Sequence, residues 1–267
     1  MSPAAAALRR QWLSLALVGC AGILALGVSQ PRWLVGSMVV WGYCLWLLFH
    51  GLEENYREGE SVPLASLGWP TFVTVVRGAL LAVTAGFVFL PMPLGARGFI
   101  PAIAYSLASL LDHVDGRLAR ALDRTTRLGE KLDMELDAAG ILIASLLAIH
   151  YGKIPSWYLA VGLARYAFVL GIVWRRHRSK TVVELDPNSL RRVLAGVQMA
   201  YLSVALWPPI PSEVSFFVAP LFGGATLAMF ARDWWHVACD VSQADSRLKS
   251  MQKRVSSIRR RCCQRRV

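Results

Sequence analysis

Uncharged, strongly apolar runs recur along the chain and are separated by short polar or basic stretches. Gln11 to Gln30 and Trp33 to His50 are each long enough, at about 1.5 Å per residue, to cross roughly 30 Å of hydrocarbon, and Pro31 and Arg32 divide them. Residues 51–70 contain Glu53, Glu54, Glu58, Glu60, Pro63 and Pro70, which predicts a loop or short interfacial segment. From Trp69 the run WPTFVTVVRGALLAVTAGFVFL opens a third span. The fourth run is free of charge only from Gly98 to Leu111, and the fifth only from Ala138 to Gly152. Both fall short of the roughly 20 residues a span requires, so the charged stretch between them has to complete each helix. Ile154 to Trp174, the segment from Arg191 and Arg192 to Pro208, and Val214 to Ala231 predict the sixth, seventh and eighth spans. The expectation is an all-α polytopic membrane bundle.

Composition supports that class. Of the 267 residues, 55% are hydrophobic, and the mean hydropathy is +0.44; ordinary soluble domains are less apolar. The net charge of +12 raises the question of nucleic acid, but no recognition motif accompanies it. The basic residues instead sort by loop. Arg9 and Arg10, the 117–131 group, the 175–192 group and the C-terminal tail fall on one side of eight spans, whereas the opposite loops hold Arg32, Arg97 and Lys153. The positive-inside rule then places both termini in the cytoplasm, with anionic lipid as the partner of the tail. The expected location is a bacterial inner membrane. Leu17 to Cys20 resemble a lipoprotein cleavage box, yet the apolar run continues past Cys20, so a retained first helix is expected. The five cysteines include no C-x2-C pair, which argues against zinc or a disulfide framework. Cys262 and Cys263 read as a plain pair in the basic tail.

The charged stretch at residues 112–137, DHVDGRLARALDRTTRLGEKLDMELD, carries the chemistry. Asp112 and Asp115 are three apart and Asp133 and Asp137 four apart, so each pair points from one face of its own helix. Two facing helices converge four carboxylates. Like charges about 4 Å apart cost roughly 4 kcal/mol per pair at an effective dielectric of 20, so the group needs protons or cations. An all-oxygen cluster favours magnesium, then manganese, with calcium a further candidate. Because ionisable groups inside a membrane face a polar cavity, this stretch marks the functional site, on the cytoplasmic side. His113 falls on another helix face and reads as a bystander. Arg165 lies about 13 Å inside its span and has to meet an anion, either the carboxylates or a bound phosphate. Arg175, Arg176, Arg178, Arg191 and Arg192 crowd the same mouth; arginine grips phosphate through paired hydrogen bonds, so a phosphorylated small substrate is expected there.

The spacing D-x2-D-G-x2-A-R-x8-G-x3-D-x3-D, set by Asp112, Asp115, Gly116, Ala119, Arg120, Gly129, Asp133 and Asp137, resembles without a departure the signature of the CDP-alcohol phosphotransferase family of phospholipid synthesis. Pro70, Thr74 and Arg77 resemble its P-N-x-x-T-x-x-R segment, with Thr71 in place of asparagine. The resemblance implies a six-helix core, here residues 69–232, preceded by an extension over 1–68 with two spans and followed by a basic cytoplasmic tail over 233–267. It implies transfer from a CDP-alcohol such as CDP-diacylglycerol to a polar alcohol with release of CMP, and a homodimer. By the same analogy Asp112, Asp115 and Asp133 hold the metals and the pyrophosphate. Asp137 contacts the second metal and is the general base. Gly116, Ala119, Arg120 and Gly129 line the nucleotide, and Arg77 contacts a phosphate. Among acceptors, glycerol 3-phosphate and inositol phosphate lead. The stretch LDMELDA lacks the D-P-x-A-D-K ending associated with phosphatidylglycerophosphate synthases, which weakens the first of these. A cation transporter is the competing class that also uses intramembrane carboxylates.

Overall fold

The computed structural model describes residues 3–57, 64–121, 126–178 and 189–237, with side chains of the fourth helix described as far as His113. Among these residues the chain forms eight α helices and no strand: α1 (Pro3–Gly27), α2 (Pro31–Gly51), α3 (Gly68–Gly86), α4 (Phe99–Ala121), α5 (Arg127–His150), α6 (Leu159–His177), α7 (Ser189–Ala205) and α8 (Ser212–Val237). Five of them, α1, α2, α3, α6 and α8, combine the length and apolar character of a membrane span. The charged stretch dilutes the apolar windows of α4 and α5, and α7 has 17 residues. The chain is an all-α integral membrane bundle, with each expected helix in place.

Local chemistry sets the helix ends. Pro31 begins α2 where its missing N–H has no intrahelical partner to lose. Gly68, at φ +73°, turns the chain into α3 through a conformation that side chains disfavour. Thr126 caps α5, its Oγ1 accepting from the Gly129 N–H at 3.1 Å.

Two boundaries differ from expectation. Helix α8 runs past Ala231 to Val237: Arg232 stays exposed, Asp233 is buried against Arg191 Nε at 2.7 Å, and Trp234 packs on Phe168 and over Gly171. Residues after α2 do not form a free loop. Leu52–Glu54 make a short 3-10 turn, and Arg57 then pairs with Thr126 in an isolated antiparallel bridge.

Helix α3 is the hub and packs on α2, α4 and α5. A β-carbon on Gly36 of α2 would come within 2.5 Å of the Ala85 carbonyl oxygen, and one on Gly78 of α3 within 2.5 Å of Cys44 Sγ. Small residues let helix backbones approach in lipid, where dispersion rather than water drives association. Leu48, Ala82, Leu132, Leu136 and Leu147 fill the core around this contact. At the far end of the bundle from the charged stretch, Lys153 is buried and donates to the carbonyls of Pro208 at 3.2 Å and Ile210 at 2.7 Å. Burial pulls its ammonium below the usual lysine range, with Glu213 pulling the other way.

Candidate active site

Helices α4 and α5 bring Asp112, Asp133 and Asp137 together, with one carboxylate oxygen of each lying within 4.8 Å of the others. The i, i+4 spacing along α5 puts its two aspartates on one face, and Asp112 meets them from α4. The backbone of α4 carries residues 115, 116, 119 and 120, but the side chains of Asp115, Ala119 and Arg120 lie outside the described residues.

Arg77 of α3 enters this group from behind. Its Nη1 stands 2.8 Å from Asp112 Oδ1 and 2.6 Å from Asp133 Oδ1, and its Nη2 pairs with Asp137 Oδ1. Arg77 is 2% exposed, whereas Asp133 is 41% exposed. The guanidinium is therefore the floor of the site and the carboxylates are its open side. The sequence placed Arg77 near the site as a phosphate contact; in the structure its guanidinium faces carboxylates.

Among the described side chains, three carboxylates meet a single guanidinium, so carboxylate charge exceeds the positive charge beside it and favours a cation. The donors are all oxygen and close enough for one ion to touch, which fits a hard divalent cation. The remaining lone pairs of the exposed carboxylates are open to it.

A small cleft continues below the cluster, lined by Arg77, Tyr105, Ser109, Leu136, Gly140 and Met199. Tyr105 lies seven residues before Asp112 on the same helical face, and its hydroxyl is buried without a hydrogen-bond partner among the described residues. Sequence reasoning missed this group, although the i, i+7 spacing pointed to it. It also missed Glu135, which sits between the two motif aspartates on α5.

Glu135 is the anion that Arg165 meets, at 2.9 Å from Arg165 Nη2. The aspartate cluster and a bound phosphate had been the two expected partners of Arg165; its pairing with Glu135 gives it a structural one instead. Of the other basic residues expected near the site, Arg191 is held by Asp233, Arg176 and Arg192 are exposed, and Arg175 is buried with no partner for its Nε among the described residues. His113 is exposed, with one ring nitrogen 3.2 Å from the Ser109 carbonyl oxygen and 3.8 Å from Asp112 Oδ2. The β-carbon that Gly129 lacks would come 3.2 Å from Thr126 Oγ1, so this glycine leaves the cap of α5 unobstructed.

The sequence family described as CDP-alcohol phosphatidyltransferase matches residues 67–239. The chain belongs to that family. Its match spans α3 to α8, six helices, and the motif aspartates fall inside it. Among curated relatives of this family, the CDP-diacylglycerol–glycerol-3-phosphate 3-phosphatidyltransferase of Wigglesworthia glossinidia brevipalpis is 36% identical over 62% of this chain and 91% of its own length. The Bacillus subtilis protein of the same name is 31% identical over 45% of this chain and 62% of its own. The human CDP-diacylglycerol–inositol 3-phosphatidyltransferase is 27% identical over 54% and 75%. Other relatives, from Mycobacterium, are matched over 51% of their length, so the chain spans about half of those proteins. No solved structure matches the chain.

Proposed function

We propose that this chain transfers a phosphatidyl group from CDP-diacylglycerol to a polar, phosphorylated alcohol and releases CMP. The observation that carries the reading is the convergence of Asp112, Asp133 and Asp137 around Arg77 in a chain of this family. The acceptor oxygen attacks the lipid-linked phosphorus, the bond from that phosphorus to the bridging oxygen breaks, and CMP leaves with the electron pair. A divalent ion, magnesium or manganese, supplies when bound the positive charge that a pyrophosphate needs before an oxygen nucleophile can approach.

The chain's own residues do the rest. Asp112, Asp115 and Asp133 hold the ion and orient the pyrophosphate, and Asp137, a metal contact too, takes the proton from the acceptor hydroxyl. Arg77 keeps the carboxylates together. Gly116, Ala119, Arg120 and Gly129 border the nucleotide. The site and both termini face the cytoplasm in this reading, which follows the loop charges. The working unit is a homodimer in a bacterial inner membrane, with residues 69–232 as the catalytic core. The transporter reading has no support among the relatives, whose names are those of phosphatidyltransferases and cardiolipin synthases.

Arginines select the acceptor. Arg175, with its buried and unpartnered Nε, and the exposed Arg176 and Arg192 form an anion-binding mouth, with Arg191 oriented by Asp233. Glycerol 3-phosphate leads, followed by inositol phosphate. Purified protein given labelled CDP-diacylglycerol and a panel of alcohols is expected to release CMP faster with a phosphorylated acceptor than with serine, choline or free inositol. Arg192→Ala is expected to raise the acceptor KM about tenfold or more while the donor KM stays within about twofold. Faster turnover of an unphosphorylated acceptor than of its phosphorylated counterpart contradicts the acceptor assignment.

A further inference from the structure

The family match begins at residue 67, so α1, α2 and the 52–57 segment lie outside it. These residues nevertheless hold one core helix, α5, along its first third. Glu54 Oε1 accepts from Lys131 Nζ at 2.8 Å. The Tyr56 carbonyl accepts the Arg127 N–H at 3.2 Å, and the Tyr56 hydroxyl accepts from Arg127 Nη1 at 3.2 Å. Leu128 is fully buried on Gly51, where a β-carbon would come within 2.4 Å of its Cδ1. Higher on the helix, the Tyr43 hydroxyl of α2 donates to Glu135 Oε2 at 3.1 Å, and Arg165 of α6 holds the other oxygen of the same carboxylate.

The positions of these contacts give them a consequence for the site. At 3.6 residues per turn, Glu135 lies about 200° around the helix from Asp133 and Asp137, on the opposite face. Fixing its carboxylate from both sides fixes the rotation of α5 about its own axis. The contacts at Arg127, Leu128 and Lys131 fix its first turns, the part of a helix with unsatisfied N–H groups and the lowest local stability.

We propose that the N-terminal extension is a positioning clamp for the catalytic helix, with Tyr43 and the Gly51–Arg57 segment acting through α5 to aim Asp133 and Asp137. The inference rests on the transferase reading above. Tyr43 touches no reacting group; it is a positioning residue.

The test uses the full-length protein with Tyr43→Phe, Glu135→Gln and the pair combined. A displacement of about 1 Å in a catalytic group costs up to about 10²-fold in rate. Each single variant is therefore expected to lower kcat about tenfold, with both KM values within about twofold. The combined variant is expected to be no slower than the slower single one, because both act on the same contact. Deuterium uptake over residues 129–137 is expected to rise in Tyr43→Phe, while the thermal midpoint in detergent stays near that of the parent. A Tyr43→Phe kcat within about twofold of the parent, or a loss matched by an equal loss of folded protein, overturns the clamp. A parent protein that releases no CMP removes the transferase reading instead. In that case unchanged deuterium uptake over 129–137 in Tyr43→Phe still overturns the clamp, and raised uptake supports it.

Discussion

Asp133→Asn and Asp112→Asn are each expected to lower CMP release at least about 10³-fold while the protein remains folded. The amide keeps the shape of the side chain but removes one carboxylate charge from the cluster, and with it attraction for a divalent ion. Folding survives because asparagine still accepts a hydrogen bond from Arg77, and relief of like-charge repulsion offsets part of the lost ion pair. Asp137→Asn is expected to differ from both. As the proposed base it acts on the acceptor, so that variant is expected to bind CDP-diacylglycerol near normally and lose turnover by about 10² to 10⁴. Equal loss of donor binding in all three variants would show that Asp137 serves the donor, not the acceptor hydroxyl. Activity and donor binding, measured on monodisperse protein with Asp137→Asn alongside the other two, decide between these outcomes.

Arg77→Met is expected to have the second large effect, and on folding as well as activity. Arg77 is buried beneath Asp112, Asp133 and Asp137, and removing one partner of a buried ion cluster typically costs about 3–5 kcal/mol because the others stay buried and uncompensated. The thermal midpoint in detergent is expected to fall sharply. Adding Asp137→Asn to Arg77→Met removes one of the stranded charges, so the double variant is expected to be more stable than Arg77→Met alone yet still inactive. Additive losses of stability in the pair would mean that Arg77 and Asp137 do not share the buried charge that the geometry gives them. This separates Arg77 as a counter-ion from Arg77 as a phosphate ligand, since loss of a phosphate ligand would raise the donor KM and leave the empty protein's midpoint unchanged.

Much of this architecture is legible in local pattern. Apolar runs and the i, i+3 and i, i+4 spacings of the motif depend on neighbours in the chain, so the helices and the meeting of Asp112 with Asp133 and Asp137 follow from them. What remained hidden depends on crossings between helices far apart in sequence. Arg77 read as a phosphate contact; only the packing of α3 against α4 and α5 shows that it faces three carboxylates. Glu135 was masked by standing between two motif aspartates, and its partners Tyr43 and Arg165 come from α2 and α6. Likewise Asp233 looked like the start of a polar tail until Arg191, forty-two positions earlier, neutralised it within α8. The 51–70 stretch read as a loop or short interfacial segment by its prolines and glutamates, because a bridge from Arg57 to Thr126 leaves no trace in either stretch alone.

Release of CMP from CDP-diacylglycerol by the purified protein, followed as divalent metal is removed and returned, bears most directly on the carboxylate site. The convergence of Asp112, Asp133 and Asp137 beside Arg77 predicts no release after exhaustive chelation and recovery on adding magnesium or manganese. Undiminished release from the chelated protein would contradict it.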